Sequence, residues 1–565
     1  MTSNKNHRHM SGGQALVEIL ESNGISHVFG LIGSATMDLF DALYENKKIR
    51  FIDVRDERTG THMADGYARS SGKAGIIIAG QNGPGATNLV TGVAQANAAF
   101  SPVISIAGAV TSEHKGKDTF QEIDQHSLFE PITKKTFSID QTQNIPETFD
   151  EAFSIALQPR CGPVHINIPR DILANKFEFK ELKKRNTIEI PIISKDQINK
   201  IINIILSSEK PVIIAGGGIK NSQAHQDVID LAKTLNVPIV CSAGHGDAIP
   251  SNEELCAGQM GPRGNEIARN LTKQADLILA LGTRLGFNST FFSYENLNKN
   301  ASIIQVDIEK NAIGRYFPVK FGICADVKNF IQQLYTEISS KEKIYKFDKW
   351  TENLIKERKK FLTKREQDAE INKHPIQPSG LFKVLRDSIP HNSSITLDAG
   401  TLCLQSTDAL NYFDPPCLFT PLDFGLVGFS FACGLGVKIA KPDKPVISLM
   451  GDGGFGMTIS ELSTAVQHKI NTVTIVMNNQ SWGAEKAYQK DFFDGRFIGA
   501  DIKSPPFDKI AELYGAKGYK VEEISEIKHA LESALNCNKP AVIDLAVDPS
   551  ALYSFRRDSF THKTK

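Results

Sequence analysis

Asp452 sits in the turn Gly-Asp-Gly-Gly at 451–454, directly after the apolar run 446–451 (VISLMG). A helix-like stretch over 460–468 follows, and a second apolar run at 473–478 leads into Asn479, 27 residues beyond the aspartate. This spacing predicts a carboxylate and an amide carbonyl at the C-terminal ends of two parallel strands, where α/β sheets place ligands. Together with a backbone carbonyl they form a set of hard oxygens suited to Mg²⁺ held against a diphosphate. Glycines 451, 453 and 454 let backbone N–H groups approach phosphate oxygens, and the start of a following helix favours the anion. Gly-Asp-Gly taken alone fits a structural turn equally well. A second acidic spot lies far upstream, where the run 51–54 (FIDV) is followed by Arg55-Asp56-Glu57 and a helix-like segment at 60–68. Either acid could simply cap that helix.

Nearly continuous β-branched runs must position these residues. They recur at 75–80, 102–108, 164–168, 211–216, 277–282, 303–308, 446–451, 473–478 and 541–545, each followed by glycine or small polar residues and then a helical pattern. Such runs are buried on both faces, as parallel strands covered by helices are. The fold class is α/β, with three doubly wound parallel-sheet domains. Charged stretches mark the boundaries, giving blocks at 10–180, 190–338 and 376–550, a charged connecting helix over 339–375 read as solvated, and a tail at 551–565.

The 565 residues carry 64 Lys+Arg against 64 Asp+Glu, a formal net charge of +0, so the electrostatic case for a nucleic-acid-coating protein fails. No apolar run reaches the ~18–20 residues a membrane span needs. No apolar stretch follows Lys5 and Arg8, so a secretory leader is not expected. The eight cysteines show no Cys-x-x-Cys spacing, which points to a reduced, cytoplasmic compartment rather than to zinc or a disulfide framework.

With Asn478-Asn479 at its end, the 451–479 segment resembles the signature of thiamine-diphosphate enzymes of the acetolactate synthase and pyruvate decarboxylase-like superfamily. The resemblance implies Asp452, Asn479 and the carbonyl of Ser481 as Mg²⁺ ligands, with Gly453 and Gly454 against the diphosphate. Residues 62–69 (HMADGYAR) resemble the same group and map the acid that activates the aminopyrimidine onto Glu57. The 81–88 loop (QNGPGATN) brings Pro84 and Asn88 to the pyrimidine side, and Gln121 of 120–122 (FQE) lies near the cofactor. Gly400 and Thr401 fall in a diphosphate-side loop. Gly425 and Val427 fall in the segment that in the family holds the bulky residue bending the cofactor into a V; the resemblance maps that wedge onto Val427, smaller than the methionine of acetolactate synthases. The three domains are then pyrimidine-binding, central and diphosphate-binding. In that family the cofactor sits between the first domain of one subunit and the third of another, so the resemblance implies a homodimer or homotetramer.

Segments 30–37 (GLIGSATM), 481–486 (SWGAEK) and 555–558 (FRRD) resemble sulfoacetaldehyde acetyltransferase. That enzyme takes sulfoacetaldehyde and phosphate to acetyl phosphate and sulfite through acetyl-thiamine diphosphate. Binding a sulfonate and a phosphate calls for cations, for which Lys486, Arg556 and Arg557 are candidates, with Trp482 as an apolar wall. Each cation also fits a solvated surface charge. Segment 120–137 reads instead like acetolactate synthase, so carboligation or decarboxylation of pyruvate or a related 2-oxo acid is the alternative. FAD in the central domain is left open and is not expected. A non-catalytic subunit would be expected to lose Glu57, Asp452 or Asn479, and all three are present. Gly216-Gly217-Gly218 lacks the Gly-x-Gly-x-x-Gly spacing of a dinucleotide site.

Overall fold

The computed structural model of the chain describes residues 7–180, 193–339, 347–555, 559, 560 and 562. The charged joints at 181–192 and 340–346, and the candidate cations Arg556 and Arg557, lie outside the described residues.

Three six-stranded sheets, each wholly parallel, carry the chain. The first holds β1 (His27–Gly30), β2 (Arg50–Asp53), β3 (Gly75–Ile78), β4 (Val103–Ala109), β5 (Lys135–Ser138) and β6 (Val164–Pro169). The central sheet holds β7 (Pro211–Ala215), β8 (Ile239–Cys241), β9 (Cys256–Gln259), β10 (Leu277–Leu281), β11 (Ser302–Asp307) and β12 (Phe321–Cys324). The third holds β13 (Ser394–Leu397), β14 (Leu418–Phe419), β15 (Val446–Gly451), β16 (Val473–Asn478), β17 (Lys517–Val521) and β18 (Ala541–Ala546). Strand order is 2-1-3-4-6-5 in the first sheet and 14-13-15-16-18-17 in the third, the same path; the central sheet runs 9-8-7-10-11-12.

The apolar runs of the sequence fall on inner strands. Every residue of β7 and β10 is buried, because helices cover both faces. Three edge strands escape such a reading: β5 (KTFS), β12 (FGIC) and β17 (KGYKV) each bury one residue and leave the others partly or fully exposed.

Helix α1 (Glu57–Ser71) of the first domain packs face to face against α2 (Ser430–Ala440) of the third. Glycines make this crossing close. A Cβ on Gly66 would stand 2.2 Å from the Cys433 carbonyl oxygen, and one on Gly436 would stand 1.9 Å from that of Met63. The charged helix Asp348–Gln367 is not the solvated connector its composition suggested. It buries Trp350 and Leu354 against the central core, and the Trp350 indole N–H donates to the Pro211 carbonyl at 2.9 Å. Only its outer face is charged and wet, which a composition count does not separate from an all-round solvated helix.

Candidate functional site

In the third sheet the strand order reverses between β13 and β15, so the loops leaving those strands splay apart and open a crevice. Both loops carry predicted residues. Gly400 after β13 has φ +113°, a backbone region that favours glycine, and Thr401 then opens the helix Thr401–Ala409. After β15, Gly451 caps the short helix Asp452–Gly456. The crevice is a cavity of about 950 Å³. Gly400, Thr401, Gly425, Val427, Gly453, Gly454, Asn479, Ser481 and Trp482 all stand in its walls. Trp482 needs Gly453 beside it, since a Cβ there would meet the indole at 2.6 Å.

Several buried oxygens in and beside this cradle lack partners. Asp452 is buried, its Oδ2 accepts the Ser504 hydroxyl at 2.6 Å, and its Oδ1 has no hydrogen-bond partner. Burial raises its pKa. The hydroxyls of Thr401 and Ser481 are likewise buried without partners. Orphaned buried oxygens are costly, and a hard divalent cation with a diphosphate would satisfy them, so the residues fit that group. Of the asparagine pair, Asn478 turns away to donate to Asp544 at 2.9 Å, leaving Asn479 to face the cavity. Among the described residues no cluster of three His, Cys, Asp or Glu side chains exists; one carboxylate with amide and backbone oxygens needs none.

The two acids near β2 have different roles. Asp56 is the N-cap of α1, its side chain accepting the Arg58 N–H at 2.7 Å, so capping does not call on Glu57. Glu57, 2% exposed, instead reaches the loops after β3: Oε1 accepts the Gly80 N–H at 3.2 Å and Oε2 the Asn88 amide at 3.1 Å. Pro84 opens the helix Gly83–Ala98 that carries Asn88. Gln121, at φ +64°, accepts the Gly83 N–H on its carbonyl at 2.9 Å. These four residues therefore share one corner of the first domain, and none of them enters the cavity walls that Gly453, Gly454 and Asn479 help to form within one chain.

The predicted cations separate. Lys486 is held by Asp501 at 2.5 Å, lies near the Phe497 ring, and is absent from the cavity wall. Three arginines not singled out from the sequence, Arg160, Arg263 and Arg284, do line it. Arg160 and Arg284 flank the Phe100 ring at 3.7 and 4.6 Å, and burial, followed by the neighbouring Arg284 guanidinium, lowers the pKa of Arg160. Arg284 was findable, since it stands two residues past Gly282 at the end of β10; Arg160 had no local signal. Asp398 opens the diphosphate-side loop 398–401 that the sequence pointed to, and the structure gives its side chain partners. It is buried, accepts the N–H groups of Ala399 (2.9 Å), Gly428 (2.9 Å) and Phe429 (3.1 Å), and burial lifts its pKa to about 7 against the pull of those bonds. In the central domain, Gly216 and Gly218 are spent on close approach to Gly282: a Cβ on either would come within 2.6 Å of it.

Comparison with known proteins matches residues 10–128 to the N-terminal TPP-binding domain, 198–334 to the central domain and 398–545 to the C-terminal TPP-binding domain of thiamine pyrophosphate enzymes. A probable acetolactate synthase large subunit of Methanococcus aeolicus is 34% identical, over 96% of this chain and 93% of that one. The sulfoacetaldehyde acetyltransferase of Castellaniella defragrans is 31% identical over 98% and 96%. The acetolactate synthase large subunit of Haemophilus influenzae is 33% identical over 96% and 95%. No helix among the described residues is long and apolar enough to cross a membrane.

Proposed function

The chain belongs to the thiamine pyrophosphate enzymes, and on that premise we propose that it converts sulfoacetaldehyde and phosphate to acetyl phosphate and sulfite. The observation that carries this reading is the single cavity in which the diphosphate cradle, Trp482 and three arginines face one another. The bound cofactor supplies a carbon nucleophile for the aldehyde carbonyl. Asp452, Asn479 and the Ser481 carbonyl hold Mg²⁺ against the diphosphate, with Gly453, Gly454, Gly400 and Thr401 around it. Glu57 holds a proton at the aminopyrimidine ring, oriented by Asn88 and the Gly80 N–H. The arginines offer planar N–H forks to the sulfonate that leaves as sulfite and to the incoming phosphate. Segments 481–486 and 30–37, and the acetyltransferase relative, favour this substrate.

Because Glu57 is absent from the cavity walls that Gly453, Gly454 and Asn479 help to form within one chain, the reading requires a homodimer, or a tetramer built from it, in which Glu57 of one copy completes the cavity of another. Mixing two inactive variants, Glu57→Gln and Asp452→Ala, then restores activity to roughly a quarter of the wild-type sites, since half the dimers are mixed and each regains one intact site. No recovery after subunit exchange refutes the shared site. For the substrate, sulfite and acetyl phosphate should appear from sulfoacetaldehyde, phosphate, Mg²⁺ and thiamine diphosphate. The second reading, carboligation of pyruvate, is favoured by the 34% identity to a probable acetolactate synthase. Acetolactate from pyruvate with no sulfite from sulfoacetaldehyde would put it first.

A further inference from the structure

The loop 420–428 walls the cavity with residues 420–425 and Val427, and its two roots are gripped by buried charges from all three domains. At the first root, Asp247 of the central domain accepts the N–H groups of Cys417 and Leu418, each at 2.9 Å. Lys220 pairs with Asp247 at 2.8 Å and donates to the Leu418 carbonyl at 2.8 Å. At the second root, Asp398 accepts the N–H groups of Gly428 and Phe429. Arg69, near the C-terminal end of α1, touches both roots. Its Nη1 donates to the Thr420 carbonyl at 3.3 Å, and its guanidinium lies 5.8 Å from the Phe419 ring and 5.3 Å from the Phe429 ring. Asp65, one turn earlier and fully buried, orients it through a two-pronged pair at 2.8 and 3.2 Å.

We propose that Arg69 is a positioning residue that sets loop 420–428, and with it Val427, against the cofactor. A pair made within one helix gains little by being buried, because desolvation offsets the attraction, and apolar residues of similar volume often serve stability as well or better. Here the planar fork is used for something a stability pair does not need: two prongs fix its plane on Asp65, leaving Nη1 and the ring contacts to hold both ends of a loop in another domain. Between the roots, Asn288 donates to the Leu422 carbonyl at 3.3 Å and to Asp423 at 2.9 Å, and Arg284 reaches Asp423 at 3.4 Å; none of these reaches residues 424–428. The loop's internal backbone bonds both go to the Pro421 carbonyl, from Phe424 and Gly425, and Gly425 and Gly428 adopt positive φ.

The inference rests on reading Val427 as the wedge under the cofactor, and the experiment separates the two. The variant Asp65→Asn with Arg69→Met removes the clamp without stranding a buried carboxylate. Its readouts are thiamine diphosphate affinity with Mg²⁺, followed by Trp482 fluorescence, and the rate of C2 hydrogen–deuterium exchange of the cofactor at saturation. Both should worsen about tenfold, the scale of one charge-assisted hydrogen bond. Leu231→Ala, in the central core, is the stability control: it lowers the melting temperature and leaves C2 exchange at the wild-type rate. Wild-type exchange in a folded clamp variant overturns the inference. Should that variant not fold, Arg69→Lys decides, since it keeps the Asp65 pairing and loses the fork: slowed exchange supports the clamp and wild-type exchange overturns it. Val427→Ala tests the premise, and unchanged exchange in that variant removes the wedge reading itself.

Discussion

Replacing Asp398 by asparagine gives a quantitative probe of the cradle. The carboxylate accepts Phe429 and Ala399 on Oδ1 and Gly428 on Oδ2. An asparagine keeps one oxygen and can retain the first two bonds, but its NH₂ then opposes the Gly428 N–H, donor against donor. Above about pH 7, where the carboxylate is ionised, one charge-assisted bond to a buried N–H is lost, worth about 1.5–3 kcal/mol. If about 2 kcal/mol of that is spent on holding Val427 and Gly428 in their binding geometry, the Kd for thiamine diphosphate rises about 30-fold. Trp482 in the cavity wall reports binding by fluorescence, and the other tryptophan of the chain, Trp350, is buried in the central domain as a constant background. A change in Kd below about threefold would refute the reasoning, because a lost buried partner cannot be that cheap. The same variant carries a pH signature. The folded pKa of about 7 stands above the unfolded 3.8, so the native state binds this proton more tightly. The stabilisation is fully present below the unfolded value and is lost as pH rises through about 7. In cofactor-free protein the stability of wild type minus Asp398→Asn should therefore fall between about pH 4 and 7 and level off above. A flat difference means the carboxylate is ionised throughout.

Further outcomes follow from the same geometry. Gly454→Ala places a Cβ 2.4 Å from Asp398 Oδ2 and 3.3 Å from Val427 Cγ1, so cofactor binding should be lost while circular dichroism stays native; normal affinity would show that the cradle yields. His62, buried on α1 with neither ring nitrogen partnered, is held neutral with a pKa of about 3. Its depressed pKa gives stability that is present above the unfolded value near 6.5 and lost as pH falls toward 3, so His62→Phe should flatten the acid limb of an unfolding titration. An unchanged limb would mean the ring finds a partner on protonation.

Local sequence determined a good deal. Runs such as 277–282 and 473–478 became inner strands because a strand buried on both faces has one affordable composition, and Asp452 and Asn479 therefore fell at strand ends. The charged 339–375 stretch and the edge strands misled or escaped for the converse reason: half-buried elements carry their polar face in the sequence and hide their apolar one. Of Asp56 and Glu57, which the sequence left as equal candidates for a cap, the structure chose by hydrogen bonds, giving the cap to Asp56. Strand order, which no local pattern encodes, opened the crevice between β13 and β15. Arg160, Arg263 and Arg284 come from two domains, and only packing brings them to one wall. Tertiary structure also left Glu57 out of the walls that Gly453 and Asn479 help to form within a chain, and it locked α1 against α2 through Gly66 and Gly436 at separations no side chain could occupy. Residue type and spacing thus set which chemistry the chain carries. Which residues face one another was decided by contacts between segments hundreds of positions apart, whose energies lie in close packing and buried charge rather than in any local preference.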